Sequence, residues 1–132
     1  MNIRTYYIIL ILLLSQSPVT ISASESEGDF ALLDQSGTFH RMSWYDDQIA
    51  VVILVQSNAY LSNSNEVESY IDLKTKFSGQ NVVFFMINPL GKLNRNSVTD
   101  TLAEHGIDIP VLMDDSQTVS RTLSVDKIGE VF

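Results

Sequence analysis

The sequence predicts an α/β domain: a central mixed sheet flanked by helices, with a β-hairpin at its N-terminal side. Two apolar runs rich in β-branched residues carry most of this. Ile49 to Val55 and Asn81 to Ile87 read as strands buried on both faces, as in a parallel sheet. Between them, Val67, Tyr70, Ile71 and Phe77 share one face at helical spacing, while Glu66, Ser69, Asp72 and Lys76 fall elsewhere. Strand, helix and strand joined by short connections make a βαβ unit, with a right-handed crossover expected.

The remaining elements follow in order. Phe30 to Leu33 is a short apolar edge strand. Asp34-Gln35-Ser36-Gly37 is a turn that Asp initiates and in which Gly tolerates positive φ. Thr38 to Met42 alternates as the hairpin partner, and Ser43-Trp44-Tyr45 leads into a second turn at Asp46-Asp47-Gln48, with Trp44 and Tyr45 expected to cover the hairpin core. Ser62 or Asn63 caps the first helix, Asp72 and Lys76 are spaced to pair along it, and Ser78-Gly79 ends it. A second helix is predicted from Ser97 to His105, with Ser97 and Asp100 as a capping box and Gly106 as the left-handed residue beyond its end. Ile107 to Leu112 is extended, with Pro110 marking an edge or a strand start. Ser116 caps a short helical turn carrying Val119 and Leu123, and Glu130-Val131-Phe132 opens another strand.

With 132 residues the chain accommodates one domain, and 45% apolar content suffices for a core. The formal charge is −8, a balance that repels nucleic acid and anionic membrane faces. Residues 1–23 read as a secretory signal: Arg4 supplies the positive charge, Tyr6 to Leu14 the apolar stretch, and cleavage is expected after Ala23 or Ser24. That apolar stretch falls short of the roughly 20 residues of a membrane span. The expected location is therefore periplasmic or extracellular, an uncleaved N-terminal anchor being the alternative. Residues 24–28 form a polar linker, and 29–132 the domain. The chain stops inside an apparent strand, which suggests a piece of a longer protein; a short natural product with a frayed end is the other possibility. Cysteine is absent, so no disulfide contributes to stability even though an exported protein would permit one.

Several blocks, taken in order, resemble the redoxin domain of the alkyl hydroperoxide reductase/thiol-specific antioxidant family, whose members are peroxiredoxin-like proteins with a thioredoxin fold. Asp29 to Gly37 is similar to the family's opening hairpin. Phe39 to Tyr45 and the strand Ile49 to Val55 come next, and Ser57 to Asn63 is similar to the turn that members write with Cys-Pro and a following Ser-Asn. Val83 to Pro89, His105 to Asp114, and Glu130-Val131-Phe132 match in type and spacing. The resemblance spans residues 29–132 and implies a thioredoxin-like fold whose last strands and C-terminal helix lie beyond Phe132. It implies an oxidoreductase or antioxidant activity that depends on thiols.

The chemistry departs from that pattern. A thiol peroxidase or reductase needs a sulfur at the N-terminus of the helix after the central strand, where backbone N–H groups and the helix dipole favour the thiolate. Here the reactive position falls on Ala59, its proline neighbour on Tyr60 and the second-cysteine spacing on Ser62. A methyl group neither ionises nor attacks, and a serine hydroxyl cannot follow sulfur's oxidation steps. Gly129 stands where relatives often place a groove-shaping proline. What remains is a polar turn from Gln56 to Asn63, with Ser57, Asn58, Tyr60, Ser62 and Asn63 as its candidate binding residues, suited to an anion or a peptide carbonyl or simply to capping the helix.

No metal site and no cofactor is expected. His40 and His105 lie far apart with no supporting cysteine or paired histidine, Asp114-Asp115-Ser116 lacks the glycine and terminal glutamate of a calcium loop, and Gly91-Lys92 lacks the upstream glycine of a phosphate loop. The expected function is that of an exported, non-catalytic binding or structural unit. The alternative is a family-type oxidoreductase whose cysteines come from further sequence, a fused domain or a partner.

Overall fold

The computed structural model describes residues 28–57, 61, 65–90 and 95–132. The signal sequence, most of the linker, Gly91-Lys92 and the capping residues Ser62 and Asn63 lie outside them.

Three strands form a parallel sheet in the order β3-β4-β5: β3 is Ala50–Val55, β4 is Val82–Asn88 and β5 is Val111–Met113. β3 and β4 pair over six residues, from Ala50 opposite Val82 to Val55 opposite Ile87. An antiparallel hairpin, β1 (Ala31–Leu33) and β2 (Phe39–Arg41), precedes the sheet and leads into a 3₁₀ turn over Met42–Tyr45. Both margins of the sheet are extended by antiparallel bridges. Asp34 pairs with Leu112 at one margin, and Val131 pairs with Leu54 at the other. The strand expected at Glu130-Val131-Phe132 therefore lies beside β3, which makes the sheet mixed.

Alternation along the strands sorts the core into two layers. Leu54, Phe84, Met86, Val111 and Met113 face α1 (Asn65–Lys76) and α2 (Arg95–Glu104), packing with Val67, Tyr70, Val98 and Leu102. Ile53, Val55, Phe85, Ile87 and Leu112 face the hairpin and the short α3 (Thr118–Thr122), packing with Val119 and with half-buried Leu32, Tyr45 and Ile128. The predicted face of α1 is realised: Val67 and Tyr70 are buried, Ile71 and Phe77 half-buried, and Glu66, Ser69, Asp72 and Lys76 exposed. Tyr70 also ties α1 to the sheet, because its single hydroxyl proton is shared between the Val52 and Phe85 carbonyls, 2.8 and 2.7 Å away.

Helix ends account for most departures from the sequence reading. α2 begins at Arg95, so Ser97 lies inside it and the capping box with Asp100 is not its start. Its C-terminus matches expectation: Gly106 has φ +62°, and the Gly106 and Ile107 amides donate back to Ala103 and Leu102, with Ile107 and Leu102 both buried. α3 closes by the same motif, but with Ser124 at φ +55° in the glycine position. Its N-terminus is not capped by Ser116. The buried Asp114 carboxylate accepts from the Ser120 amide and hydroxyl, each at 2.7 Å, because the tail of β5 aims it at the helix start. Asp72 and Lys76 form no ion pair; Lys74 turns instead to the backbone carbonyl of Asp108. Trp44 is 62% exposed, stacked edge-on to Phe39, so the lid of the hairpin core is Tyr45 alone, which packs against Phe85.

One polar chain anchors the hairpin to this lid. Asp34 is 5% exposed, and its Oδ1 accepts from the Ser36 amide (2.8 Å), the Ser36 hydroxyl (2.6 Å) and the Thr38 amide (2.9 Å). Its Oδ2 accepts from His40 Nε2–H at 2.9 Å, and His40 Nδ1 accepts the Tyr45 hydroxyl at 2.8 Å. His40 is thus a structural link, stacked edge-on against Phe85. Burial pushes the Asp34 carboxyl up, but the hydrogen bonds from Ser36, His40 and Thr38 outweigh it and hold the carboxyl below the usual carboxylate value. Because the unfolded chain takes up this proton more readily than the folded one, the contribution is complete above about pH 4 and is lost as pH falls through the folded value. Asp34→Ala is expected to cost about 1–3 kcal/mol at neutral pH, measured by urea unfolding. The gap to the parent should narrow below about pH 4; an equal gap at pH 3 and pH 7 would show that the carboxylate is not the stabilising form.

Candidate functional site

The region singled out by the sequence sits at the C-terminal ends of β3 and β4. In open α/β sheets this is where ligands bind, because the strand ends and the first turns of the following helices converge there. β3 is followed by Gln56, whose amide continues the ladder to the Ile87 carbonyl at 3.0 Å. Ser57 comes next, and its carbonyl accepts the Leu61 amide at 3.1 Å, a helical i to i+4 contact directly after the strand. Of the predicted turn, Ser57 is described and 8% exposed. Asn58, Ala59, Tyr60, Ser62 and Asn63 lie outside the described residues.

The site also contains Gln56, the first residue of the predicted polar turn, and Asn88, which sequence reasoning passed over. Gln56 follows Val55 and Asn88 follows Ile87, a registered pair, so the two residues occupy neighbouring positions at the strand ends. Gln56 is fully buried and Asn88 is 2% exposed. Among the described residues, neither Gln56 Oε1 nor Gln56 Nε2 has a hydrogen-bond partner; Asn88 Oδ1 accepts the Leu90 amide at 3.0 Å, but its Nδ2 has no partner there. Each buried, unsatisfied amide costs on the order of 1–3 kcal/mol, and such groups are rare in folded proteins. A polar residue directly closing an all-apolar strand was the sequence signal for both.

These two side chains carry hydrogen-bond donors and acceptors but no ionisable group. A carboxamide donates and accepts hydrogen bonds without ionising in the physiological range. Among the described residues, His40 has both ring nitrogens engaged, with Asp34 and Tyr45. His105 follows the last residue of α2, away from this edge. Among the described residues, no three His, Asp or Glu side chains converge in a way that could hold a metal ion. No described helix is long and apolar enough to cross a membrane.

Gly129 is brought to the same strand end, where its amide donates to the Val55 carbonyl at 2.8 Å while the Val55 amide donates to Glu130. Gly129 and Glu130 together face the single residue Val55, which is a β-bulge whose first residue adopts φ +90°. This geometry accounts for glycine here. Proline is locked near φ −65° and has no N–H to give Val55. The bulge also forms one wall of a groove of about 370 Å³, together with Leu54, Tyr70, Leu73 and Val131. Gly129→Pro is expected to lower unfolding stability by about 2 kcal/mol or more in urea titration; an unchanged midpoint would mean that the bulge does not form.

No family model matches the chain, and no curated protein matches it either. Solved structures do. A putative protein disulfide isomerase from Bacteroides thetaiotaomicron superposes with a TM-score of 0.59 at 16% identity, over 78% of this chain and 65% of that one. A putative thiol:disulfide interchange protein DsbE from Chlorobium tepidum gives 0.55 at 15% identity, over 74% and 67%. Peroxiredoxin Q from Xanthomonas campestris gives 0.58 at 16% identity, over 74% and 60%. A hypothetical protein from Sinorhizobium meliloti gives 0.61 at 21% identity, and the chain spans only 56% of its length. Likeness at these identities speaks for the fold: the described residues form a thioredoxin-like α/β domain with an N-terminal β-hairpin, in a sequence that contains no cysteine.

Proposed function

We propose that the chain is an exported, thioredoxin-like module that works by binding and performs no thiol chemistry of its own. The carrying observation is the strand end itself. Where redoxins place a reactive sulfur this sequence reads Gln56-Ser57-Asn58-Ala59-Tyr60, and the described part of that edge offers two buried carboxamides in place of an ionisable group. Neutral donors and acceptors without a nucleophile suit recognition of a polar, uncharged group such as a peptide unit. Export is supported by the N-terminal sequence, with its single Arg4 ahead of an apolar stretch and small residues near Ala23.

Two measurements test the two halves of this reading. The purified chain, given hydrogen peroxide and dithiothreitol, is expected to consume peroxide at the buffer rate. A rate above buffer would overturn the non-catalytic reading in favour of an oxidoreductase. N-terminal sequencing of the protein from its own source is expected to start at Ser24 or Glu25; a blocked or intact Met1 in the mature protein would remove the case for a cleaved leader.

A further inference from the structure

A second groove lies on the other side of the strand ends, between the exit of β4 and the chain that runs from α3 to Ile128. It measures about 390 Å³, within the range of small-molecule sites. Pro89, Val125 and Ile128 give it an apolar wall, and Leu90, 58% exposed, extends that wall to the surface. Arg121 and Lys127 also line it, with Asp126 as the one acidic residue, so the lining is net cationic in a chain whose formal charge is −8.

Both cations are available. Arg121 uses Nη2 to reach the Ser116 carbonyl at 2.9 Å, which steadies the guanidinium and leaves its other donors uncommitted. The Lys127 ammonium has no hydrogen bond or ion pair among the described residues, and the nearby Glu130 carboxylate is occupied by the Asp126 and Lys127 amides. The walls are held in place as well. Gln117 Nε2 donates to the Pro89 carbonyl at 2.7 Å, joining α3 to the end of β4. Gln117 and Ser124, on either side of α3, both adopt left-handed backbone at φ +57° and +55°, a conformation that costs residues with a side chain.

The geometry points to a binding site for a small amphipathic anion, a monocarboxylate with an apolar tail or ring. Its carboxylate would sit at Arg121 and Lys127, and its apolar body would lie against Leu90, Val125 and Ile128. The field of an acidic chain opposes anions at long range, so affinity has to come from this local pair and from apolar contact together. The site is separate from the carboxamide edge, and the inference stands whether or not that edge binds a peptide.

Octanoate is a suitable probe and octanamide its uncharged counterpart, followed by methyl and amide NMR shifts on the full chain. Octanoate is expected to shift the Leu90, Val125 and Ile128 methyls and to bind several-fold more tightly than octanamide. Arg121→Gln and Lys127→Gln, both at exposed positions, should each weaken octanoate roughly two- to fivefold. They should leave the dispersion of the core methyls unchanged. The inference is overturned if the three methyls do not move, if octanamide binds as tightly as octanoate, if the double variant binds octanoate as the parent does, or if the shifts map to Tyr70, Leu73 and Val131 instead.

Discussion

The parallel pairing of β3 with β4 is the constraint from which the rest of the structure follows. Six residue pairs in register place Ile53, Val55, Phe85 and Ile87 on one face and Leu54, Phe84 and Met86 on the other, all of them buried. A sheet buried on both faces must be covered on both. The helices α1 and α2 cover one side, and the hairpin with α3 covers the other. Burial of each large side chain contributes on the order of 1.5–3 kcal/mol, so a slip of one residue, which would exchange the two faces throughout, is strongly disfavoured.

The same register sets the chemistry of the strand ends. Because Val55 and Ile87 are paired, Gln56 and Asn88 occupy neighbouring positions at the strand ends, and both are buried there. Among the described residues nothing supplies a partner for the Gln56 side chain, and His40 is held by Asp34 and Tyr45. The thioredoxin-like frame is therefore present while the atoms that thiol chemistry needs are not. Gly129 fits the same picture: the bulge opposite Val55 needs positive φ and an N–H, and proline offers neither.

The polar chain from Asp34 to Tyr45 has a related architectural role. It lets a two-stranded hairpin, too small to be stable by itself, dock on Phe85 through one buried carboxylate whose hydrogen bonds are all satisfied. Asp114 does the same on a smaller scale for α3. Both carboxylates follow a strand and point back into the core, and both are offset by several donors, as a buried charge must be.

Much of this was legible in the sequence. Runs of Val and Ile between residues 49 and 87 announce buried parallel strands, the spacing of Val67 and Tyr70 announces the helix between them, and Gly106 announces the end of α2, because each depends on local periodicity or on a conformation that only certain residues adopt. The absence of cysteine was equally readable. Tertiary structure alone decided which polar residues meet. Asp34 with His40 and Tyr45, Gln56 beside Asn88, Asp114 rather than Ser116 at the start of α3, and Arg121 and Lys127 around one groove all depend on how separate elements pack. Sequence periodicity fixes which face of an element is buried; only packing fixes what that face is buried against, and hydrogen bonds, unsatisfied amides and grooves are properties of the second kind.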